Sequence, residues 1–342
     1  AACAPAGEPS PTPGKVYEVS YQGLHSRPQY LTQYAHIPFG ERLTEKSEGR
    51  LNVTFYDNKA ITDDVMGGVT SNLMQVAIGA QLTTPGIYPL SDVMCLPLVG
   101  PSATVGSLTT WHLHETFPEW RAEYPPEARM LSYFVSATYQ IHTRDKIVKT
   151  LEDLEGLKVI GINPTALEML EKLGAVPVSI GAGDWYLSLE RGMADGILCP
   201  LAPIRATKVC EVCPHHTIVN ICFSPFYLAM NAKFYDDLPA DLQQIIDEEA
   251  GATFAENCGI GLDKGAVMDC EWMKEQGDEF YVLPDAERAR WLEACMPIWD
   301  EYIADMEAKG YSNVGDIVDE AVRYSDELVK QGVYVPDYTV FE

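Results

Sequence analysis

The residues best suited to chemistry in this 342-residue chain lie in one short run, Cys210-Glu211-Val212-Cys213-Pro214-His215-His216. Two thiols and two imidazoles so close together invite a metal or haem reading. Haem attachment needs a histidine directly after the second cysteine, and Pro214 stands there instead. Zinc would have to draw every ligand from this one run, and Val209 with Cys210 reads as the end of an apolar helix face. A Cys210–Cys213 disulfide, or two packed thiols, fits the spacing better. Cys199 is the other candidate, as a nucleophile, but Pro200 follows it and no base lies near it in sequence. No Gly-rich phosphate loop, H-E-x-x-H or G-x-S-x-G is present. The expectation is a protein that binds without reacting, with no metal and no cofactor.

Composition narrows the partners. With 24 basic and 50 acidic residues the net charge is −26, which opposes nucleic acid and anionic lipid surfaces. No apolar run approaches the ~18 residues a membrane helix needs. Nine cysteines are too few for a disulfide scaffold in a chain this long, and their odd number leaves one unpaired. Ala1-Ala2-Cys3, followed by a Pro-rich segment to Gly14, reads as a processed export end. The tripeptide has the form of a lipoprotein cleavage site with Cys3 as the acylated residue, though ordinary signal cleavage with an incidental Cys3 reads as well. Residues 1–14 would then be a disordered tether.

The elements that must position any site follow from periodicity. Residues 157–162 are a short apolar strand, and Asn163-Pro164 supplies the N-cap and first position of a helix that Gly174 ends. A second strand at 176–180, a turn at Gly181–Gly183, a helix capped by Asp184 and a third strand from Ile197 complete a strand-helix-strand-helix-strand unit. The first half repeats it, with strands at 16–21, 51–56 and 76–78, a helix over 28–48 kinked at Pro38, and a helix opened by Thr62-Asp63-Asp64. Two long extended runs, 130–140 and 217–231, would cross between the two units. A helix after Leu238-Pro239 would run to about Gln276, interrupted by Gly259 and Gly261, and two more follow from Pro284-Asp285 and over 314–331.

These segments carry a resemblance. GLKV (156–159), LEKLGAVPV (170–178) and YLSLERGMADG (186–196) resemble the second lobe of the periplasmic substrate-binding subunits of TRAP transporters, the DctP-like family. RLNVTFYDN, DVMCLPLV, TLEDLEG and SPFYLAMNAKFYDDLPADLQQII agree in order, so the likeness runs from about residue 15 to 330. It implies an α/β protein of two lobes, with hinge strands and a long bracing helix. Lobe 1 would hold residues 15–138 plus 229–277, and lobe 2 residues 139–228 plus 278–342 with the C-terminal helices. It further implies capture of a small organic ligand between the lobes, delivery to TRAP permease subunits in the membrane, and a periplasmic location.

The resemblance also locates a ligand site, and here the residues depart from it. The family arginine two residues beyond the lysine of the strand motif is replaced: the lysine is Lys158 and the position holds Ile160. A second family arginine, in the crossing strand, is matched by Tyr139, and the asparagine after the V-D-G turn by Cys199. A buried carboxylate without these partners costs several kcal/mol, so the ligand is not expected to be a simple carboxylate held in the usual way. Arg27, Arg144 or Arg205 reaching the cleft from another direction would restore anion binding. Tyr88, Trp185, Tyr186 and Phe223 match cleft aromatics, although core packing explains any one of them as well. Trp185 is the favoured wall, and Asn163 a polar candidate whose helix cap is an equal explanation. Arg27 and Gln81 lie after the first and third strands, where open α/β sheets bind ligands. Two other functions compete: a two-lobe enzyme using Cys199, and a sensor or scaffold lobe that reuses the fold.

Overall fold

The structure, a computed structural model, describes residues 14–81, 84 and 86–342. Cys3 and all but the last residue of the expected tether lie outside them. The described strands are β1 (Tyr17–Gln22), β2 (Leu51–Tyr56), β3 (Val76–Ala80), β4 (Ala128–Val135), β5 (Gln140–Thr143), β6 (Lys158–Gly161), β7 (Val176–Val178), β8 (Gly196–Cys199), β9 (His215–Ile218), β10 (Pro225–Asn231) and β11 (Glu279–Val282). They form two sheets, a five-stranded one ordered β2-β1-β3-β10-β4 and a six-stranded one ordered β11-β9-β5-β8-β6-β7.

Burial explains the order. β2 alternates apolar and polar at the edge of its sheet, with Leu51 buried and Asn52 exposed. β3 reads Val-Ala-Ile-Gly-Ala, is buried at every position, and lies between β1 and β10. β1 pairs in parallel with β2 and β3, and β6 with β7 and β8. Helices Ile37–Lys46 and Val65–Thr70 connect the first set, and Pro164–Lys172 and Trp185–Glu190 the second. The doubled unit read from periodicity is therefore present in both sheets.

The two extended runs cross between the sheets as expected. β4 and β10 pair in one sheet, while their continuations β5 and β9 pair in the other. The linking segments stay hydrogen-bonded to each other: Ser136 N–H donates to Ser224 O (2.8 Å), and Tyr139 N–H to Cys222 O (3.0 Å).

Three local expectations need correction. The helix expected over 28–48 holds a π-helical turn, Thr32–His36, before Ile37–Lys46. Ile37 N–H bonds back to Thr32 O, and Pro38 sits in the first turn of the following helix, where its missing N–H costs little. The irregularity thus precedes the proline. The helix expected after Pro239 breaks at Ala250, whose ψ of −157° is extended, giving Ala240–Glu249 and the 26-residue Gly251–Gln276. Gly259 does not interrupt it: a Cβ there would fall 2.3 Å from Thr104 Cα, so the glycine permits close packing against helix Ala103–Thr116. Asp184 makes no side-chain cap; it ends a short 3₁₀ turn, Ala182–Asp184, ahead of Trp185–Glu190.

The long helix Gly251–Gln276 packs on Ala103–Thr116 and β4 on one side and on helix Leu201–Ala206 of the second sheet's side. Buried Asp263 fixes it, accepting from Ala103 N–H (2.8 Å), Thr104 N–H (2.9 Å) and Thr104 Oγ1–H (2.7 Å). A carboxylate on one helix thereby satisfies the free N–H groups at the start of another. The C-terminal helices divide: Asp285–Ala308 packs on Pro164–Lys172, and Val314–Lys330 on Ala103–Thr116.

Candidate functional site

A cavity of about 340 Å³ opens between the two sheets, a size that suits one small molecule. The first-sheet side contributes His25, Tyr30 and Leu31, from the segment after β1, together with Phe226 of β10. The crossing segments contribute Ser136, Ala137, Tyr139 and Ser224. Trp185, Ile162 and the segment from Pro200 to Thr207 close the opposite side, and Leu262 and Ala266 of the long helix close the back. Among the described residues, no arginine, lysine, aspartate or glutamate lines this cavity.

Its walls are held rigid. Trp185 is 7 % exposed, and its Nε1–H donates to Ile180 O (2.9 Å), so the ring cannot swing freely. Phe226 stacks on Phe134 at 5.2 Å between centroids. Asn163 caps its helix through Oδ1, which accepts from Ala166 N–H (2.7 Å), and its Nδ2 donates to the Tyr139 hydroxyl (3.2 Å). Helix cap and site contact are thus the same side chain. Burial lowers the His25 pKa and raises that of Tyr139, so both side chains are neutral near pH 7.

Of the nine expected site residues, Tyr139 and Trp185 line the cavity. Asn163 borders an adjoining hollow that shares Trp185. Ile160 and Cys199 are fully buried in the core cluster that includes Trp185, and do not reach the cavity surface. The other four lie elsewhere. Gln81 is buried and donates from Nε2 to Tyr124 OH (2.7 Å). Tyr88 stacks on Tyr124 at 4.2 Å between centroids, inside the same aromatic core. Phe223 packs against Gly100 and Gly106. Arg27 is on the outer face, where Nη2 donates to Phe55 O (3.2 Å) beside Glu41 and Glu45. The loop after β1 does supply the site, but through His25, two residues earlier.

The other two candidate arginines do not line the cavity either. The Arg144 guanidinium lies near Gly192. Arg205 Nη1 donates to Asp269 Oδ1 (2.9 Å) and to Tyr30 OH (3.2 Å), and its guanidinium sits 4.6 Å from the Trp272 ring centroid. Sequence reasoning missed His25, Ser224, Phe226, Leu262 and Ala266. The strand-end rule pointed to the loop holding His25, and the crossing run to Ser224 and Phe226, but no sequence signal says which residues face inward.

The cysteine-histidine run makes no metal centre. Cys210 and Cys213 are separate buried thiols, and no metal-competent group of His, Cys, Asp and Glu exists among the described residues. His216 is buried between His142 (Nδ1–Nδ1, 2.8 Å) and Asp278 (3.0 Å), and burial pushes its pKa down to about 3. Cys199 is a poor nucleophile: its thiol is fully buried, burial raises its pKa, and His142 contacts its carbonyl oxygen (3.1 Å), not its sulfur. The arrangement can enclose and orient a small molecule.

Comparison with known proteins agrees with this geometry. Residues 25–305 match the family model DctP, bacterial extracellular solute-binding protein, family 7. A solute-binding protein of Chromohalobacter salexigens is 23% identical over 282 residues, 81% of this chain and 82% of its own. The ectoine/5-hydroxyectoine-binding periplasmic protein UehA of Ruegeria pomeroyi is 23% identical over 289 residues, covering 81% and 80%. A TRAP solute-binding protein from Rhodoferax ferrireducens, solved with copurified benzoate, superposes with a TM-score of 0.82 at 21% identity, covering 93% of this chain and 100% of that one. The chain therefore belongs to family 7 of the bacterial extracellular solute-binding proteins, the DctP family of periplasmic two-lobe subunits that capture small organic solutes for TRAP transporters.

Proposed function

We propose that this protein captures a compact, uncharged and largely apolar molecule between its lobes, against Trp185 and Phe226, and hands it to a TRAP permease. One observation carries the ligand class: no cationic side chain lines the inter-lobe cavity among the described residues. A carboxylate enclosed there would lose its hydration without a guanidinium to replace it, at a cost of several kcal/mol. The substitutions at the family's polar anchors, Ile160, Tyr139 and Cys199, support the same reading. The benzoate copurified with the Rhodoferax protein has the compact aromatic shape proposed here, and the ligand proposed for this chain differs from it in carrying no charge. A thermal-shift comparison of benzamide with benzoate tests the proposal. Benzamide should stabilise the protein and benzoate should not; the reverse order overturns it.

A second reading has one observation behind it. Arg205 borders a neighbouring hollow that shares Gln29, Tyr30, Ala202 and Ala206 with the cavity, so it is the arginine best placed to hold an organic acid. It would first have to leave Asp269, which is buried and would then hold an unpaired charge. Two finer points are also proposals. The lobes divide at residues 15–138 plus 225–277 and 139–224 plus 278–342, which moves the boundary expected at 228 so that β10 stays whole in the first sheet, with helix Val314–Lys330 leaning on the first lobe, a division limited proteolysis would map. Cys3 carries a lipid anchor, which intact-mass measurement of protein from the native host would detect as an acyl mass on that residue.

A further inference from the structure

Two hydroxyls of the crossing segments and the Asn163 amide form a hydrogen-bonded chain that leaves one hydroxyl proton without an acceptor. Asn163 is fixed in orientation, because its Oδ1 accepts from Ala166 N–H, so its Nδ2 must donate to the Tyr139 oxygen. The Tyr139 hydroxyl lies 2.5 Å from Ser224 Oγ. If Tyr139 donates to Ser224, the Ser224 proton is left over; if Ser224 donates to Tyr139, the Tyr139 proton is left over. The nearby Ser136 hydroxyl accepts from Ser224 N–H (2.9 Å) and donates to Ala137 O (2.8 Å), and it makes no hydrogen bond to either of the two hydroxyls. In either polarity one hydroxyl proton has no acceptor among the described residues, and both Tyr139 and Ser224 line the inter-lobe cavity.

We propose that the Tyr139–Ser224 hydroxyl pair determines specificity, presenting one hydrogen-bond donor to the ligand and so selecting an uncharged molecule with a carbonyl, amide or ether oxygen at that point. This rests on the reading of the cavity as the ligand site. The chemistry follows from asymmetry: an apolar ligand would enclose an unpaired donor, and a matching acceptor removes that penalty. His25, in the same cavity with its Nδ1 buried and unpartnered, adds a neutral donor-acceptor group but no charge.

Acetophenone and α-methylstyrene test the inference, because they share a shape and differ by a carbonyl oxygen against a methylene. Calorimetric titration of the full chain should favour acetophenone by about tenfold or more, the scale of one buried unpaired donor. In a Tyr139→Phe/Ser224→Ala double variant the preference should shrink to about twofold, with α-methylstyrene binding more tightly because no donor is left to enclose, and circular dichroism reporting the fold. Equal binding of the two probes to the wild type overturns the inference whether or not the variant folds. A preference that survives in the folded double variant overturns it too. In both cases the cavity reading stands if Trp185→Ala weakens both probes. Failure of both probes to bind overturns the cavity reading and the inference together, and binding of α-methylstyrene alone overturns the inference.

Discussion

Replacing Trp185 separates the wall of the site from its support. The side chain is 7 % exposed, and it packs with Ile160, Leu189 and Ile204 while one face borders the cavity. Only about 20 Å² of the ring is open to a ligand at that exposure, which at ~25 cal/mol per Å² is about 0.5 kcal/mol, so the rest of an aromatic anchor's usual ~1–3 kcal/mol comes from the packing lost when the wall itself is removed. Trp185→Ala should therefore raise the Kd about tenfold, within the ~1–3 kcal/mol range of buried aromatic anchors. It should also destabilise the unliganded protein by roughly 3 kcal/mol, since the same ring fills the core beneath. Trp185→Phe is the control: it keeps an aromatic face and loses the bond to Ile180 O, so it should cost less than half as much affinity. The assay is calorimetric titration with the ligand recovered from the purified protein, alongside urea unfolding of the free protein. An unchanged Kd for Trp185→Ala, with the expected loss of stability, would place the ligand away from this wall and refute the reasoning.

Other expectations concern stability and motion. Burial raises the Glu123 pKa to about 7, so the native state keeps this proton at pH values where the unfolded chain has released it. Its contribution is complete below about pH 4 and is lost as pH rises to 7. Glu123→Gln should accordingly gain on wild type across that window, by on the order of 2 kcal/mol at pH 8 in matched urea melts; a constant difference would contradict it. Asp263→Ala removes three hydrogen bonds to the start of helix Ala103–Thr116 and should cost about 2–4 kcal/mol, seen as a lower urea midpoint with unchanged slope. Gly259→Val should be at least as damaging, because its Cβ meets Thr104 backbone 2.3 Å away. Small-angle scattering should show compaction on saturation with ligand as the lobes close about the crossing segments, and an unchanged radius of gyration would count against a hinge.

The sheets were legible in sequence because each lobe repeats one periodic unit with clear punctuation. Asn163-Pro164 opens its helix and Gly174 closes the turn after it, and both signals are local. The long helix was misread where local signals and packing diverge. Gly259 looked like a break but serves a close helix contact, and the break falls at Ala250-Gly251, where Gly251 at φ +55° is the helix-ending glycine that the periodicity passed over. The site was harder for the same reason. Its residues converge from seven separate segments, and facing is set by sheet register and helix rotation. Tyr139, Trp185, Tyr88 and Phe223 were all placed in the cleft through the resemblance, and Arg27 and Gln81 by strand ends, yet of these only Tyr139 and Trp185 line the cavity. In the fold, Arg27 turns outward, and Gln81, Tyr88 and Phe223 pack into the first-sheet core. His25 lies in the same loop as Arg27, yet nothing in the sequence distinguishes the inward residue from the outward one.

Native mass spectrometry of the protein as purified from its own host, followed by release and identification of the bound molecule, tests the central claim most directly. The account predicts a single small, uncharged molecule with an apolar or aromatic body and one acceptor oxygen, released on Trp185→Ala. A dicarboxylate, a sugar acid or a sulfonate bound at full occupancy would contradict it, and would turn attention to Arg205 and its release from Asp269.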